Sequence, residues 1–361
     1  MKMSQIILTI MAIGAFLGGT DHLTGNRFGL GQRFEEAFHL LGPIALSMSG
    51  IICLAPVLSH WLGRIVVPAF TALNVDPGMF GSILAIDMGG YQMSMDLCAD
   101  PRIGQFAGIL VCATFGCTIV FTIPVGLGTL KETDKPYFTK GILLGLTAMP
   151  VGLVTGGILC GLSFGELLWN LSPILLVSLL LILGLLKKPD TVISGFQLLA
   201  KGIEKLAIFG LMIGAIQYMT GWMPLPGAAA LPEAMEVVCS IAIVMLGSMP
   251  LAELIQRILK KPFHWIGTHT GLNGASTTGL LIGMVSVVPA LAMIPRMDKR
   301  GKVVCGAFVV SSASLFAAHL GFTLGTAPEL AGALIAAKLL GGLAGVILAL
   351  AVTARQQETG Y

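Results

Sequence analysis

The chain has 361 residues, of which 21 are Lys or Arg and 18 Asp or Glu; the charged fraction of 11% compares with roughly a quarter in an ordinary soluble domain. Hydrophobic residues make up 55%, mean hydropathy is +0.90, and uncharged stretches of about 20 residues recur, so a water-soluble globule is excluded and a polytopic membrane protein indicated. The net charge of +3 is scattered among short loops and leaves no basic face for nucleic acid; the lipid bilayer is the surrounding the composition demands.

In chain order, apolar segments are expected at about 4–20, 36–61, 78–97, 103–126, 138–162, 166–186, 203–222, 234–259, 275–295, 303–325 and 329–353. The first begins almost at Met1 without a small-residue cleavage site after it, and reads as a retained helix. Two segments are interrupted: the third by Asp87, Gly89 and Gly90, the ninth by Ser286 and Pro289. Each follows a semi-polar stretch, 62–75 and 262–272. Linkers are short, and residues 1–361 read as one all-α transmembrane domain of about 9 to 11 helices. The 47 glycines, about twice the usual share, favour close helix packing and local unwinding. Seven cysteines lie mostly in apolar runs without metal-ligand spacing, so no metal or other cofactor is expected.

Laid on itself with a shift of 197 to 198, the sequence repeats over about 34–126 and 231–325. Glu36 falls on Glu233, Met48 on Met245, Gly50 on Gly247, Asp100 on Asp298, Arg102 on Arg300 and Gly108 on Gly306. If all eleven segments span, Lys and Arg divide 12 to 8 between the two sides; if the third and ninth re-enter and leave where they came in, the division is 17 to 3, with Lys338 inside a helix. The second arrangement is preferred. It makes the repeats inverted, as in many secondary transporters, and places the C-terminus in the cytoplasm. A further arrangement has the stretches 62–75 and 262–272 re-enter instead.

Several residues stand out chemically. Asp87 lies in ILAIDMGGYQM, where an unpaired carboxylate costs at least a few kcal/mol. Gly89 and Gly90 allow unwinding after it, and Tyr91 and Phe80 offer aromatic faces, a combination suited to a small ammonium compound. Pairing with a basic residue, or capping a half-helix, is the other role open to Asp87. Lys338, in ALIAAKLLGGLAG, either stands in for a cation beside a carboxylate when the site is empty or orders the bundle through a fixed pair. His319 is a hydrogen-bonded core group or a proton relay. Glu36 complements a helix N-terminus or joins the site, and Asn273, in GLNGASTTG, caps a helix or supplies the second half-site. HExxH, GxSxG and Walker motifs are missing, which points to gradient-driven transport or facilitated diffusion rather than an enzyme. Gly341, Gly342 and Gly345 could pack within the chain or against a second copy in a homodimer.

Read together, NRFGLGQRFEEAF, ALSMSGIICLAPVL, NVDPGMFGSILAIDMGGY and TIVFTIPVGLG resemble the ethanolamine-utilisation permease family over nearly the whole chain. HLGF (319–322) and KLLGG (338–342) belong to the same resemblance. It implies import of ethanolamine across a bacterial inner membrane for catabolism, with Asp87, Gly89, Gly90, Tyr91, Glu36, His319 and Lys338 as positions of interest. The chain departs from it at Ala318, where an acidic residue is expected, and in GMVSVVPAL of the ninth segment, which has no amide. A channel-like facilitator and a carrier of choline or another small amine remain the alternatives.

Overall fold

The computed structural model describes residues 3–84 and 87–358, with side chains at 5–84 and 88–354. Among the described residues the chain is helical throughout, and eight helical stretches are long and apolar enough to cross a membrane. After α1 (Met3–Leu23) and the short α2 (Leu30–His39), the chain turns at Leu40 into α3 (Leu41–Ala72). Two short helices follow, α4 (Met79–Ile83) and α5 (Gly90–Leu97), joined through a 3-10 turn at Asp87–Gly89. The span Pro101–Thr129 begins as α6 (Pro101–Gln105), widens to π-helix over Phe106–Gly116 and Thr118–Thr122, and ends as α7 (Ile123–Thr129). Then come α8 (Lys135–Leu159), α9 (Phe164–Lys187) and α10 (Pro189–Thr220).

The same order of elements recurs in the second half. A 40-residue helix, α11 (Leu231–Thr270), precedes the short pair α12 (Gly274–Gly283) and α13 (Val287–Met293). The next span, Lys299–Thr326, is interrupted: α14 (Lys299–Ser312) stops, a π-helical turn covers Leu315–His319, and α15 (Leu320–Thr326) completes the crossing. The last helix is α16 (Ala331–Glu358).

Each short pair is a hairpin that leaves on the side it entered, because its two ends are hydrogen-bonded to each other. Asp76, ahead of α4, accepts from the backbone N–H of Asp100 at 2.9 Å and of Ala99 at 3.1 Å, beyond α5. In the second hairpin Asn273 donates from its amide to the Arg296 carbonyl at 3.0 Å, and its own N–H donates to Asp298 at 3.0 Å. Asp76 and Asn273 are themselves 197 residues apart in the sequence. The stretches 62–75 and 262–272 do not re-enter: to Ala72 and Thr270 they prolong α3 and α11 as unbroken helix. At 1.5 Å per residue α11 is about 60 Å long, twice the hydrocarbon core, so its final turns run on past the bilayer.

These contacts fix which ends share a side. Arg102 reaches Glu166 at 3.0 Å and the Gly161 carbonyl at 3.0 Å, while Lys302 meets Asp134 at 2.5 Å on the opposite face. Following the chain through both hairpins, α10 must cross as a ninth span although Lys201, Glu204 and Lys205 lie within it. Among the described residues seventeen Lys and Arg then gather on one side and two, Arg64 and Arg102, on the other, with Lys338 between them.

Helix crossings are set by small residues. Gly50 of α3 lies so close to α10 that a Cβ would fall 1.7 Å from the Ala207 carbonyl oxygen; Gly247 of α11 meets the Met11 carbonyl of α1 in the same manner, at 1.9 Å. Neither contact can relax by turning a side chain, so Gly50→Val or Gly247→Val is expected to cost about 3 kcal/mol or more of stability. Gly195→Ala, on an open face of α10 with no atom within 4 Å of a built Cβ, is expected to be neutral or stabilising by up to about 1 kcal/mol. Thermal unfolding in detergent separates the two outcomes. Gly341, Gly342 and Gly345 are buried within the chain: Gly341 against Ser311 and Gly152, Gly342 against Ser312, Gly345 against Ala307. Of the two packings open to these glycines, within the chain or against a second copy, the structure shows the first.

Candidate functional site

Both hairpins aim at a disturbed stretch of a long helix. On the first, the turn Asp87–Gly89 packs against the π-helical part of the span Pro101–Thr129. Gly90, the first residue of α5, sits so near that a Cβ would be 2.9 Å from Cys112 Sγ. On the second, the tip of the hairpin completes the hydrogen bonding of the interrupted span. Ser314, with φ of 54°, donates its N–H to the Gly283 carbonyl at 3.0 Å, and Phe316 donates to Met284 at 3.0 Å. A left-handed serine and the contorted Ala317 (φ −108°, ψ −105°) are sustained in an apolar interior because the partner chain segment takes up the freed backbone groups. Thr118 ties the two disturbed helices together, donating to the Val310 carbonyl at 2.9 Å.

Lys338 lies at this junction with no exposed surface. Its Nζ donates to the carbonyl of Ala113 in the π-helix at 2.5 Å, and its own carbonyl accepts from Ser312 Oγ at 2.7 Å, next to the interruption. His319, 2% exposed, bonds through Nδ1 to the Ala313 carbonyl at 3.0 Å. A carbonyl can only accept, so Nδ1 carries the proton in this contact. Thr323 donates to the His319 carbonyl at 2.8 Å.

A cavity of about 450 Å³ opens from the basic side toward this centre. Its mouth is formed by Arg33 and Glu36 of α2 and by Glu253 and Gln256 of α11; its inner end is Ser314, Ala317 and Ala318, with Ile282, Val285 and Ser286 of the second hairpin along one wall. The mouth charges form a chain: Arg33 Nη1 to Glu36 at 2.7 Å, Arg33 Nε to Glu253 at 3.1 Å, and Arg257 Nε to Glu253 at 3.0 Å. A second cavity, of about 50 Å³, lies between Ile52, Tyr91, Val237 and Phe322 and includes Gly89.

The residues singled out from the sequence are thus distributed over several places. Gly90, His319 and Lys338 adjoin the disturbed helices, Gly89 and Tyr91 line the small cavity, and Glu36 guards the large one. The side chain of Asp87 lies outside the described residues. Phe80 packs edge-on against Phe70, with centroids 6.0 Å apart, in a separate cluster with Val66 and Met93. Asn273 is exposed at the end of the second hairpin, where its side chain caps α12 by accepting from the Ser276 N–H at 2.8 Å. Sequence reasoning passed over Asp76, although its alignment with Asn273 at the 197 shift was a usable signal; it also passed over Arg33, Glu253 and Phe322.

Asp298 belongs to the same clip. Partial burial pushes its carboxyl up, but hydrogen bonds from the Asn273 N–H, Ser276 Oγ and the Gly301 N–H outweigh this and hold it below the usual carboxylate range. A depressed folded value means that this group contributes stability above its unfolded pKa of about 3.9 and loses it as pH falls through the folded value. Between pH 6 and 3 the melting temperature of the parent chain is therefore expected to fall more steeply than that of Asp298→Asn, which retains a cap but cannot titrate.

Among the described residues, discontinuous helices meeting around a buried charge, within a bundle of eight apolar helical stretches of membrane-crossing length together with α10, define a polytopic membrane protein built on the plan of membrane transporters. The family model described as "Ethanolamine utilisation protein, EutH" matches residues 3–352. The chain is 40% identical to the "Probable ethanolamine permease EutH" of Listeria monocytogenes, over 99% of this chain and 96% of that one. It is 31% identical to the protein of the same description in Escherichia coli, over 99% and 98%, and 39% identical to the "Uncharacterized protein YxeR" of Bacillus subtilis, over 99% and 96%. No solved structure matches the chain. The chain belongs to the EutH family of ethanolamine utilisation proteins.

Proposed function

We propose that this protein imports ethanolamine, as its ammonium cation, across the bacterial cytoplasmic membrane for catabolism, by alternating access between two inverted repeats. The relatives' description as probable ethanolamine permeases supports the substrate. The excess of Lys and Arg on one side supports placing that side in the cytoplasm. The observation that carries the mechanism is the pair of hairpins that turn back inside the bilayer beside fully buried Lys338. Ethanolamine has a basicity near that of lysine, roughly pKa 10, so it crosses hydrocarbon poorly and needs a polar, anionic waypoint.

In this reading Asp87 supplies that anion. Its turn abuts the helix that holds the Lys338 ammonium, and the carboxylate serves two cations by turns: Lys338 when the site is empty, ethanolamine when it is loaded. Glu36 and Glu253 line the way out to the cytoplasm. A cavity wide on one side and nearly absent on the other favours a carrier over an open channel. In cells expressing the chain at external pH 6, labelled ethanolamine is expected to enter with saturation and to be unaffected by excess choline. Uptake that rises linearly with concentration would instead support the channel, and inhibition by choline a broader amine carrier.

A further inference from the structure

We propose that Tyr91 and Phe322 form the outer gate of the transport path, and that the structure represents the state open to the cytoplasm and shut to the outside. The inference rests on the permease reading for the meaning of the path. Two cavities approach each other from opposite sides, of about 450 Å³ from the cytoplasm and about 50 Å³ from the outside. The layer between them is thin. Ala318, at the inner end of the large cavity, and Phe322, lining the small one, are four residues apart on the interrupted span, about 6 Å along a helix. On α11 the corresponding lining residues, Met245 and Val237, are eight residues or about 12 Å apart.

The Tyr91 and Phe322 rings, both lining the small cavity, meet edge to face with centroids 5.8 Å apart and planes at 81°. Tyr91 comes from the first hairpin and Phe322 from the interrupted helix of the second half, so relative movement of the two halves parts the rings without unfolding either helix. Gly108 of the π-helix gives Tyr91 its seat: a Cβ there would lie 2.8 Å from both Tyr91 Cα and Cδ2. On the outer side of the pair, the hydroxyl of Thr326 lines the small cavity and has no hydrogen-bond partner, a polar group left for water or solute once the rings separate.

The test is side-specific labelling with a membrane-impermeant maleimide. Ala318→Cys is placed in a full-length chain whose cysteines that are not fully buried, Cys98, Cys160 and Cys239, are replaced by serine, and the protein is studied in vesicles of both orientations. Cytoplasmic labelling is expected to be about ten-fold or more faster than external labelling, and Tyr91→Ala with Phe322→Ala to raise the external rate about ten-fold, while Tyr91→Phe leaves it unchanged. If the double alanine variant does not reach the membrane, Phe322→Leu is expected to give a smaller rise. Equal labelling from both faces, no labelling from the cytoplasm, or an external rate that loss of the rings does not move would each overturn the gate. The assay needs no ethanolamine. Asymmetric labelling of a chain that carries no ethanolamine refutes the permease reading alone, and symmetric labelling of one that does carry it refutes the gate alone.

Discussion

Lys338→Met is expected to bind ethanolamine more tightly than the parent chain and to turn it over far more slowly. Lys338 is fully buried, with its ammonium 2.5 Å from the Ala113 carbonyl, beside the place where the Asp87 turn packs. Two unit charges about 4 Å apart at an effective dielectric of about 20 interact by about 4 kcal/mol. A lysine that shares a carboxylate with the substrate therefore raises the energy of the loaded site and helps to expel the cargo. Methionine keeps most of the volume and removes the competitor, at the cost, in this reading, of leaving the Asp87 carboxylate without its cation when the site is empty. KM is expected to fall about ten-fold and kcat about a hundred-fold, a split that marks stronger ground-state binding. Unchanged kinetic constants in a less stable protein would reduce Lys338 to a structural strut.

Asp87→Asn is expected to bring uptake to background, a loss of at least about a hundred-fold at equal protein in the membrane, since in the reading proposed above a charge-assisted hydrogen bond to a buried cation is replaced by a neutral one. The substitution also leaves the Lys338 ammonium without its anion in this reading. Removing one partner of a buried pair is more destructive than removing both, so the double variant Asp87→Asn with Lys338→Met is expected to melt at a higher temperature than Asp87→Asn alone. Additive losses would show that the two charges do not share a site. Initial rates of uptake and thermal unfolding of the same preparations supply both readings.

Much of the fold could be read from hydropathy because every span must satisfy its backbone internally, which leaves long apolar runs. The interruption of the ninth apolar segment at Ser286 was visible as well; Pro289 falls within the first turn of α13, where its missing N–H costs nothing. The interruption at 313–317 was not visible. Its sequence, ASLFA, has neither proline nor glycine, and it exists because Gly283 and Met284, some thirty residues earlier, offer carbonyls to Ser314 and Phe316. The prolongation of α3 and α11 past the bilayer was likewise hidden, since semi-polar composition signals an interface and does not say whether a helix continues.

For the site, the charge of Lys338 in an apolar run announced burial, but its described partner is a backbone carbonyl, and carbonyls leave no trace in a sequence. Glu36 could be matched with Arg33, three residues before it, whereas Glu253 reaches the same guanidinium from 220 residues away. Tyr91 was noted as an aromatic face; that its neighbour is Phe322 follows only from the packing of the two halves.

The most direct measurement of the central claim is uptake of radiolabelled ethanolamine into proteoliposomes holding only this protein, at an acidic external pH where diffusion of the neutral amine is negligible. Saturable uptake well above protein-free liposomes is the expected result, and it would establish that one kind of chain suffices to move the cation. Uptake no greater than in protein-free liposomes, from folded and correctly inserted protein, would contradict it.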